Sequence, residues 1–240
     1  MAAQPARAVL PERPIRPPVA RPALAAGAAV VLLAALSLAF YWVPSDVDQG
    51  FSQRIFYIHV PLALTAYACF GVAAWKAFRL LSTGAERYDL ESYTAVHIGV
   101  IYGLLTLLTG SIWARISWGI WWNWSEDQLV LFLVIVLFYC AYFMLRFSVD
   151  PGVQRARLSA VYALFGIVLI PVSFLAIRLA ANFIHPVVFT ARGPQMAGSM
   201  LLVFCLSLAG LGGLAATLYR TELAGRRLDH RLRELREAWA

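Results

Sequence analysis

Six apolar runs, each about twenty residues long, constrain the fold of this chain more than any other feature of its sequence. They cover residues 23–43, 57–80, 93–113, 128–147, 158–180 and 197–219. At 1.5 Å per residue, a helix of about 20 residues crosses the roughly 30 Å hydrocarbon layer of a bilayer. Because a backbone inside lipid must satisfy its own hydrogen bonds, such runs favour helices. We therefore predict an all-α polytopic membrane protein with six transmembrane helices.

The overall composition excludes a soluble protein and a nucleic-acid partner. Hydrophobic residues make up 61% of the chain and charged residues 14%, whereas a soluble domain carries about 25% charged residues. The net charge of +7 lies in short loops and tails, without a basic groove that is interleaved with aromatic residues. Cys69, Cys140 and Cys205 each lie inside an apolar run, and no CxxC motif is present. We predict that they are small buried hydrophobic side chains.

The two ends of the chain differ from the apolar centre. The predicted divisions are a disordered tail over 1–22, a membrane domain over 23–219 that contains a Trp-rich segment at 113–127, and a C-terminal tail over 220–240. The first of these is rich in Pro and Arg, which is typical of disorder. The last has a helical charge pattern, in which Glu222–Arg226 and Asp229–Arg233 are i,i+4 pairs in the favourable order.

The distribution of basic residues predicts the orientation of the chain. Sixteen of the 20 Lys and Arg residues lie on one set of loops and tails, and the opposite set holds only Arg54, Arg115, Arg178 and Arg192. Since cytoplasmic loops of membrane proteins carry an excess of Lys and Arg, both termini are expected in the cytoplasm. In a bacterial inner membrane, the Trp-rich segment would then face the periplasm.

Tryptophan is concentrated in one short connection. Within the stretch WARISWGIWWNW lie five of the eight tryptophans, namely Trp113, Trp118, Trp121, Trp122 and Trp124. Ordinary interfacial belts use roughly one or two Trp at a helix end, so this number exceeds what anchoring needs. The cluster suggests a flat aromatic platform that holds a large planar ligand at the edge of the membrane.

Two of the four histidines lie at the same predicted depth and side as the tryptophans. His59 opens the second run, in RIFYIHVP, and His185 follows the fifth, in NFIHPVVF. Either one alone is compatible with structural packing, but as a pair beside an aromatic platform they are better explained as axial ligands of haem iron. His97 is interpreted as an interhelical polar residue, and His230 as a solvated tail residue.

Haem would also bring two propionates, which need nearby cations. Arg54, Arg115 and Arg192 are the candidates on this side of the membrane. The alternative for each of them is snorkelling at the interface.

These residues carry a family resemblance. TGSIWARISWGIWWNW resembles the haem-handling WWD superfamily, and the YIHVP context with six spans resembles the haem exporter protein C family, the C component (CcmC) of the cytochrome c maturation system. The resemblance covers about residues 23–220. The family motif is matched by Trp118, Gly119, Trp121, Trp122 and Trp124. Ile120 replaces the usual Thr, and Ser125 stands where an Asp is expected, so Glu126 or Asp127 could supply a shifted carboxylate.

The resemblance implies a haem-handling protein with no bond chemistry of its own, and so not an enzyme. Haem b would be held at the outer surface, non-covalently and transiently, with His59 and His185 as axial ligands of its iron. The other implied cofactor-binding residues are Trp113, Trp118, Gly119, Trp121, Trp122, Trp124, Arg54 and Arg115. Besides haem and membrane lipid, the implied partners are a periplasmic haem chaperone (CcmE-type), ABC subunits (CcmA- and CcmB-type) and a small CcmD-type subunit.

A second function class stays open, that of a b-type cytochrome subunit for electron transfer. Such a protein usually places its His pairs inside a bundle of four helices, near the middle of the membrane. This chain has one outward pair and an aromatic cluster instead.

Overall fold

In a computed structural model, residues 22–47, 49–179, 189–190 and 193–239 are described. Within these ranges, six helices are long and apolar enough to cross a membrane. They are α1 (Pro22–Tyr41), α2 (Phe56–Thr83), α3 (Arg87–Trp118), α4 (Asp127–Ser148), α5 (Val153–Leu179) and α6 (Gly198–Trp239). Two short strands, β1 (Phe189–Thr190) and β2 (Gly193–Pro194), pair antiparallel before α6. The predicted all-α polytopic fold is confirmed, and the chain is a multi-pass membrane protein.

The helices extend beyond the apolar runs that predicted them. α3 continues to Trp118 rather than ending at 113, and it ends where Gly119 adopts a left-handed conformation with φ 77°. Helical backbone needs no lipid to stay hydrogen bonded, so polar residues prolong it outside the membrane. α6 likewise runs through residue 220 without a break. The division between membrane domain and tail at that residue stays a prediction, and the predicted tail at 1–22 lies outside the described residues except for Pro22.

Small residues let the helices approach closely. α1 packs along α6, where a Cβ on Gly210 would lie 2.9 Å from the Leu32 backbone. α2 packs along α3, where a Cβ on Gly99 would lie 2.6 Å from the Phe70 ring. The Phe70 ring in turn stacks on Tyr139 of α4 at 3.8 Å between centroids. Contacts of this kind are typical of membrane helices, which lack a hydrophobic force between them in lipid.

The three cysteines are free. Cys69 and Cys140 are half-buried and Cys205 is exposed, so the prediction of a buried side chain was wrong for Cys205. In a membrane, apolar side chains also cover the outer surface of the bundle, so an apolar run does not predict burial.

Alternating crossings give the bundle two different ends. We call the end where α3 ends and α4 begins the tryptophan end, and the opposite end, where α2 ends and α3 begins, the basic end. The residues at the start of α2 lie at the tryptophan end, together with the loop that follows α1.

Ion pairs hold the basic end together. Arg146 of α4 binds Asp89 through both carboxylate oxygens, at 2.7 and 2.6 Å. Glu91 of α3 accepts from Lys76 of α2 at 2.8 Å and from Arg227 of α6 at 2.7 Å. Four helices are thus joined through the first turns of α3.

A second ionic cluster on α6 involves His97. Its Nδ1 lies 2.8 Å from a carboxylate oxygen of Glu222, and that carboxylate also accepts from Arg226 at 2.6 Å. The predictions of an interhelical role for His97 and of the Glu222–Arg226 pair are confirmed. The predicted Asp229–Arg233 pair was wrong. Both residues are exposed and form no ion pair with a described residue, because water competes well for exposed charges.

Candidate functional site

The loop between α1 and α2 is organised by a buried arginine. Arg54 is only 7% exposed, and it belongs to a short 3₁₀ helix, Phe51–Ile55. Its guanidinium donates to the carbonyl oxygens of Val43 at 2.8 Å and Pro44 at 3.2 Å. It also donates to Ser45 Oγ at 3.2 Å and to Gln53 Oε1 at 3.1 Å. The structure therefore gives Arg54 a role in holding this loop, and its role toward a propionate stays a prediction.

The same loop is seated on the last turns of α3. Trp113 Nε1 donates to Gln49 Oε1 at 3.3 Å, and the hydroxyls of Ser52 and Ser117 lie 3.4 Å apart. Because Trp113 and Ser117 are four residues apart on a helix, both contacts use one face of α3. This face is where the loop, α2 and α3 meet.

The His59 ring packs against that same face of α3, at Thr109 and Gly110, about one turn before Trp113. It sits in the first turn of α2 and is half-buried. Its Nδ1 lies 3.0 Å from Thr109 Oγ1. The ring also rests on Gly110, where an added Cβ would come 2.8 Å from the His59 Cε1 atom. Among the described residues, none hydrogen bonds to its Nε2.

Within the described residues, the tryptophans form two edge-to-face pairs rather than a flat platform. The rings of Trp113 and Trp118 lie 4.9 Å apart at 75°, and those of Trp122 and Trp124 lie 5.8 Å apart at 64°. The expectation of a flat surface was therefore wrong. The quadrupole of each indole favours tilted pairs over coplanar ones. Trp121 and Trp124 remain 61% and 72% exposed, so a planar ligand can reach their rings.

One buried donor in this segment is unsatisfied. Trp122 is half-buried, and its Nε1 atom has no hydrogen-bond partner in the described part of the chain. Leaving a buried N–H unpaired costs free energy of about 1–3 kcal/mol. Such a donor suits an anionic ligand group, and a haem propionate is of that kind.

Arg115 and Gly119 shape the turn that carries these indoles. The guanidinium of Arg115 donates to the Gly119 carbonyl oxygen and lies 6.0 Å from the centre of the Trp121 ring. The left-handed conformation of Gly119 allows the chain to turn away from α3. Arg115 is exposed, and its guanidinium lies over the exposed ring of Trp121.

The residues after the tryptophans distinguish the two candidate carboxylates. Ser125 is exposed, and its backbone N–H donates to Asn123 Oδ1 at 3.0 Å. Glu126 is only 1% exposed, whereas Asp127, the first residue of α4, is exposed. A buried carboxylate has a defined position, so burial favours Glu126 over Asp127 for the acidic role.

The described site thus brings His59 together with Trp113, and the Trp-rich turn with Arg115. The other predicted axial ligand, His185, and the candidate Arg192 lie outside the described residues, as does the side chain of His230. Sequence reasoning missed Thr109, Gly110 and Gln49, which position the site. A polar Thr-Gly pair inside an apolar run, just before Trp113, was the signal for the first two.

Comparisons with known proteins agree on one family. The family described as heme exporter protein C matches residues 16–239. The heme exporter protein C of Paracoccus denitrificans is 31% identical over 213 residues, which cover 86% of this chain and 88% of that protein. The protein of the same name from Bradyrhizobium diazoefficiens is 30% identical over 211 residues, covering 88% and 80% of the two chains. That from Escherichia coli K12 is 31% identical over 151 residues, covering 63% and 61%.

Proposed function

Because the chain belongs to the heme exporter protein C family, we propose that it binds haem at the tryptophan end and delivers it for the maturation of c-type cytochromes. The observation that supports this most is the setting of His59. Its ring is half-buried and held on one side by α3, and its Nε2 is bound by none of the described residues. A neutral imidazole in this state is a ligand for haem iron.

The proposed roles follow from where each side chain lies. His59 and His185 ligate the iron as the two axial ligands. The exposed rings of Trp121 and Trp124 contact the porphyrin, while Trp113 and Trp118 close the side next to the loop. Arg115 and the Trp122 N–H bind the propionates, and Arg54 holds the loop before His59. Glu126 is the acidic group that takes the place of the Asp expected at Ser125.

Haem b is cargo in this proposal, so it is bound non-covalently and released. Release exchanges at least one axial histidine for a ligand on the acceptor, and the chain forms no covalent bond itself. The acceptor is a periplasmic haem chaperone of the CcmE type, assisted by ABC subunits of the CcmA and CcmB types and by a small CcmD-type subunit. The excess of basic residues at the basic end supports a cytoplasmic location for that end and for both termini in the inner membrane.

Absorption spectra of the purified full-length protein with haem, oxidised and reduced, test the assignment. Two axial histidines give a six-coordinate, low-spin haem. His59→Ala or His185→Ala should give a high-spin or haem-poor protein. His97→Ala is the control and should leave the spectrum unchanged, since that ring is bound to Glu222.

An unaltered spectrum in either of the first two variants would remove that histidine from the assignment. A loss confined to His97→Ala would instead favour the b-type cytochrome.

A further inference from the structure

We propose that Thr109 is a positioning residue for haem handling, because it fixes the tautomer of His59 and thereby directs the bare Nε2 to the iron. The inference rests on the proposed function of His59 as an axial ligand. Its own support is the set of hydrogen bonds made by one hydroxyl group.

The Thr109 hydroxyl has a single proton, and that proton is already used. Oγ1 lies 2.9 Å from the carbonyl oxygen of Leu105 and 3.1 Å from that of Thr106. Both carbonyls can only accept, so the hydroxyl donates to them. It must then act as the acceptor toward His59 Nδ1, at 3.0 Å.

This direction determines the protonation of the imidazole. If Nδ1 donates, it carries the ring proton, and in the neutral ring Nε2 then holds the lone pair. Metal-binding histidines commonly show this arrangement, in which the second nitrogen donates to a fixed acceptor and so sets the ring orientation. The Thr106 backbone is a second hydrogen-bond partner of this ring, and the Thr109 hydroxyl adds to it an acceptor placed at Nδ1. Removing that acceptor weakens the preference for one tautomer and for one ring orientation.

The position of the acceptor is itself fixed. Thr109 is β-branched, and its bond to the carbonyl of Leu105, one helical turn earlier, holds its side chain on α3. Gly110 supports the same ring from the neighbouring position, since the helix backbone there carries no side chain. The imidazole therefore rests on α3 along the edge formed by Nδ1 and Cε1.

A neutral acceptor at His59 Nδ1, such as the Thr109 hydroxyl, suits a protein that must release its haem. A carboxylate beside Nδ1 would push the ring toward imidazolate character and bind ferric iron more strongly. A hydroxyl orients the ring with less electron donation, so the Fe–His59 bond is easier to exchange. This matches a ligand that must let haem go.

Haem titration of the purified full-length protein tests the inference, with spectra in both oxidation states and the midpoint potential as readouts. Thr109→Val keeps the shape and removes the acceptor. We expect about a tenfold loss of haem affinity, the lower end of the effect of losing such a partner. We also expect a partial shift to high spin and a higher midpoint potential, because a less basic His59 stabilises ferric iron less. Thr109→Ser should restore all three.

The matched control is Thr106→Val on the same helix. The Thr106 hydroxyl is buried and donates to its own helix at the Tyr102 carbonyl, at 2.9 Å. This variant should leave the affinity, spectrum and potential as in the unmodified protein. If Thr109→Val fails to accumulate, Thr109→Ala removes the hydroxyl with less bulk and serves in its place.

The inference is overturned if Thr109→Val behaves as the unmodified protein while His59→Ala loses its low-spin spectrum. It is also overturned if Thr106→Val shows the same changes, since packing of α3 then explains them. A low-spin spectrum that survives His59→Ala contradicts the proposed function itself, and the inference falls with it.

Discussion

Because Gly110 has no side chain, the His59 ring can lie close against α3. A Cβ on Gly110 would come 2.8 Å from His59 Cε1, whereas carbon atoms in good contact lie about 3.5–4.0 Å apart. The glycine is thus required by a ring from another helix, not by the conformation of its own backbone.

Gly110→Ala should therefore displace the His59 ring and weaken haem binding. Overpacking of this kind costs about 1–3 kcal/mol, so we expect roughly a tenfold or larger loss of haem affinity in titrations. Gly71→Ala on α2 is the control, because a Cβ there meets nothing within 4 Å. Equal losses in both variants, or normal binding by Gly110→Ala, would contradict the role of this contact.

Single residues were predictable from the sequence only in part. His59 and the tryptophans could be assigned to the same side of the membrane, because the order of the apolar runs determines which loops lie on one side. The basic residues then predict which side that is. The partner of His59 could not, since Thr109 lies 50 residues away and any polar residue at that depth would have served. The tilt between the indoles depends on ring-to-ring contacts that the sequence does not encode locally.

At the level of secondary structure, the six spans follow from the need of a backbone in lipid to hydrogen bond within itself. The ends of the helices do not follow from it. α3 continues through Trp118, so Trp113 and Trp118 are held by a helix, while Trp121, Trp122 and Trp124 lie in the turn after Gly119. The Trp-rich segment therefore has a helical half and a turn half.

Replacing both Trp121 and Trp122 by Ala should disable haem delivery while the helices persist, because both residues lie beyond the end of α3. Each indole contributes about 0.5–1.5 kcal/mol beyond area burial, so the pair should cost roughly tenfold or more in haem affinity. Transfer of haem to the purified chaperone and circular dichroism are the measurements. Trp75→Ala, an exposed tryptophan of α2, is the control and should transfer normally.

Full transfer by the double variant would show that the tryptophans only anchor the protein at the interface. Ser125→Ala is expected to cost little, since the Ser125 side chain is exposed and only its backbone N–H bonds to Asn123.

For the whole molecule, the sequence predicts the orientation in the membrane, through its charge distribution, but it does not predict how the helices pack. Which helices touch could not be read from the sequence, because residues that face lipid and residues that face the core are equally apolar. In α3, Leu108 is exposed and Ile98 is buried, and nothing in their chemistry distinguishes them. The adjacency of α1 and α6 rests on glycines whose partners are far away in the chain.

Single-cysteine labelling in a variant without the three native cysteines checks the orientation. A cysteine at Ser117 or Ser125, both exposed, should react with a membrane-impermeant reagent from the periplasmic side. A cysteine at Ser82, exposed at the basic end, should react only after the membrane is opened. The reverse pattern would invert the chain and place the haem site in the cytoplasm.

The ion pairs of the basic end can form only in a certain order while the chain is being synthesised. Lys76 and Glu91 leave the ribosome close together, but Asp89 precedes its partner Arg146 by 57 residues, and Glu91 precedes Arg227 by 136. Since the chain is made from its N-terminus, Asp89 is translated before its cation, and Glu91 at first has only Lys76 as a partner. The second ion pair of Glu91 therefore forms only after α6 has been made, and a chain that ends before Arg227 lacks it.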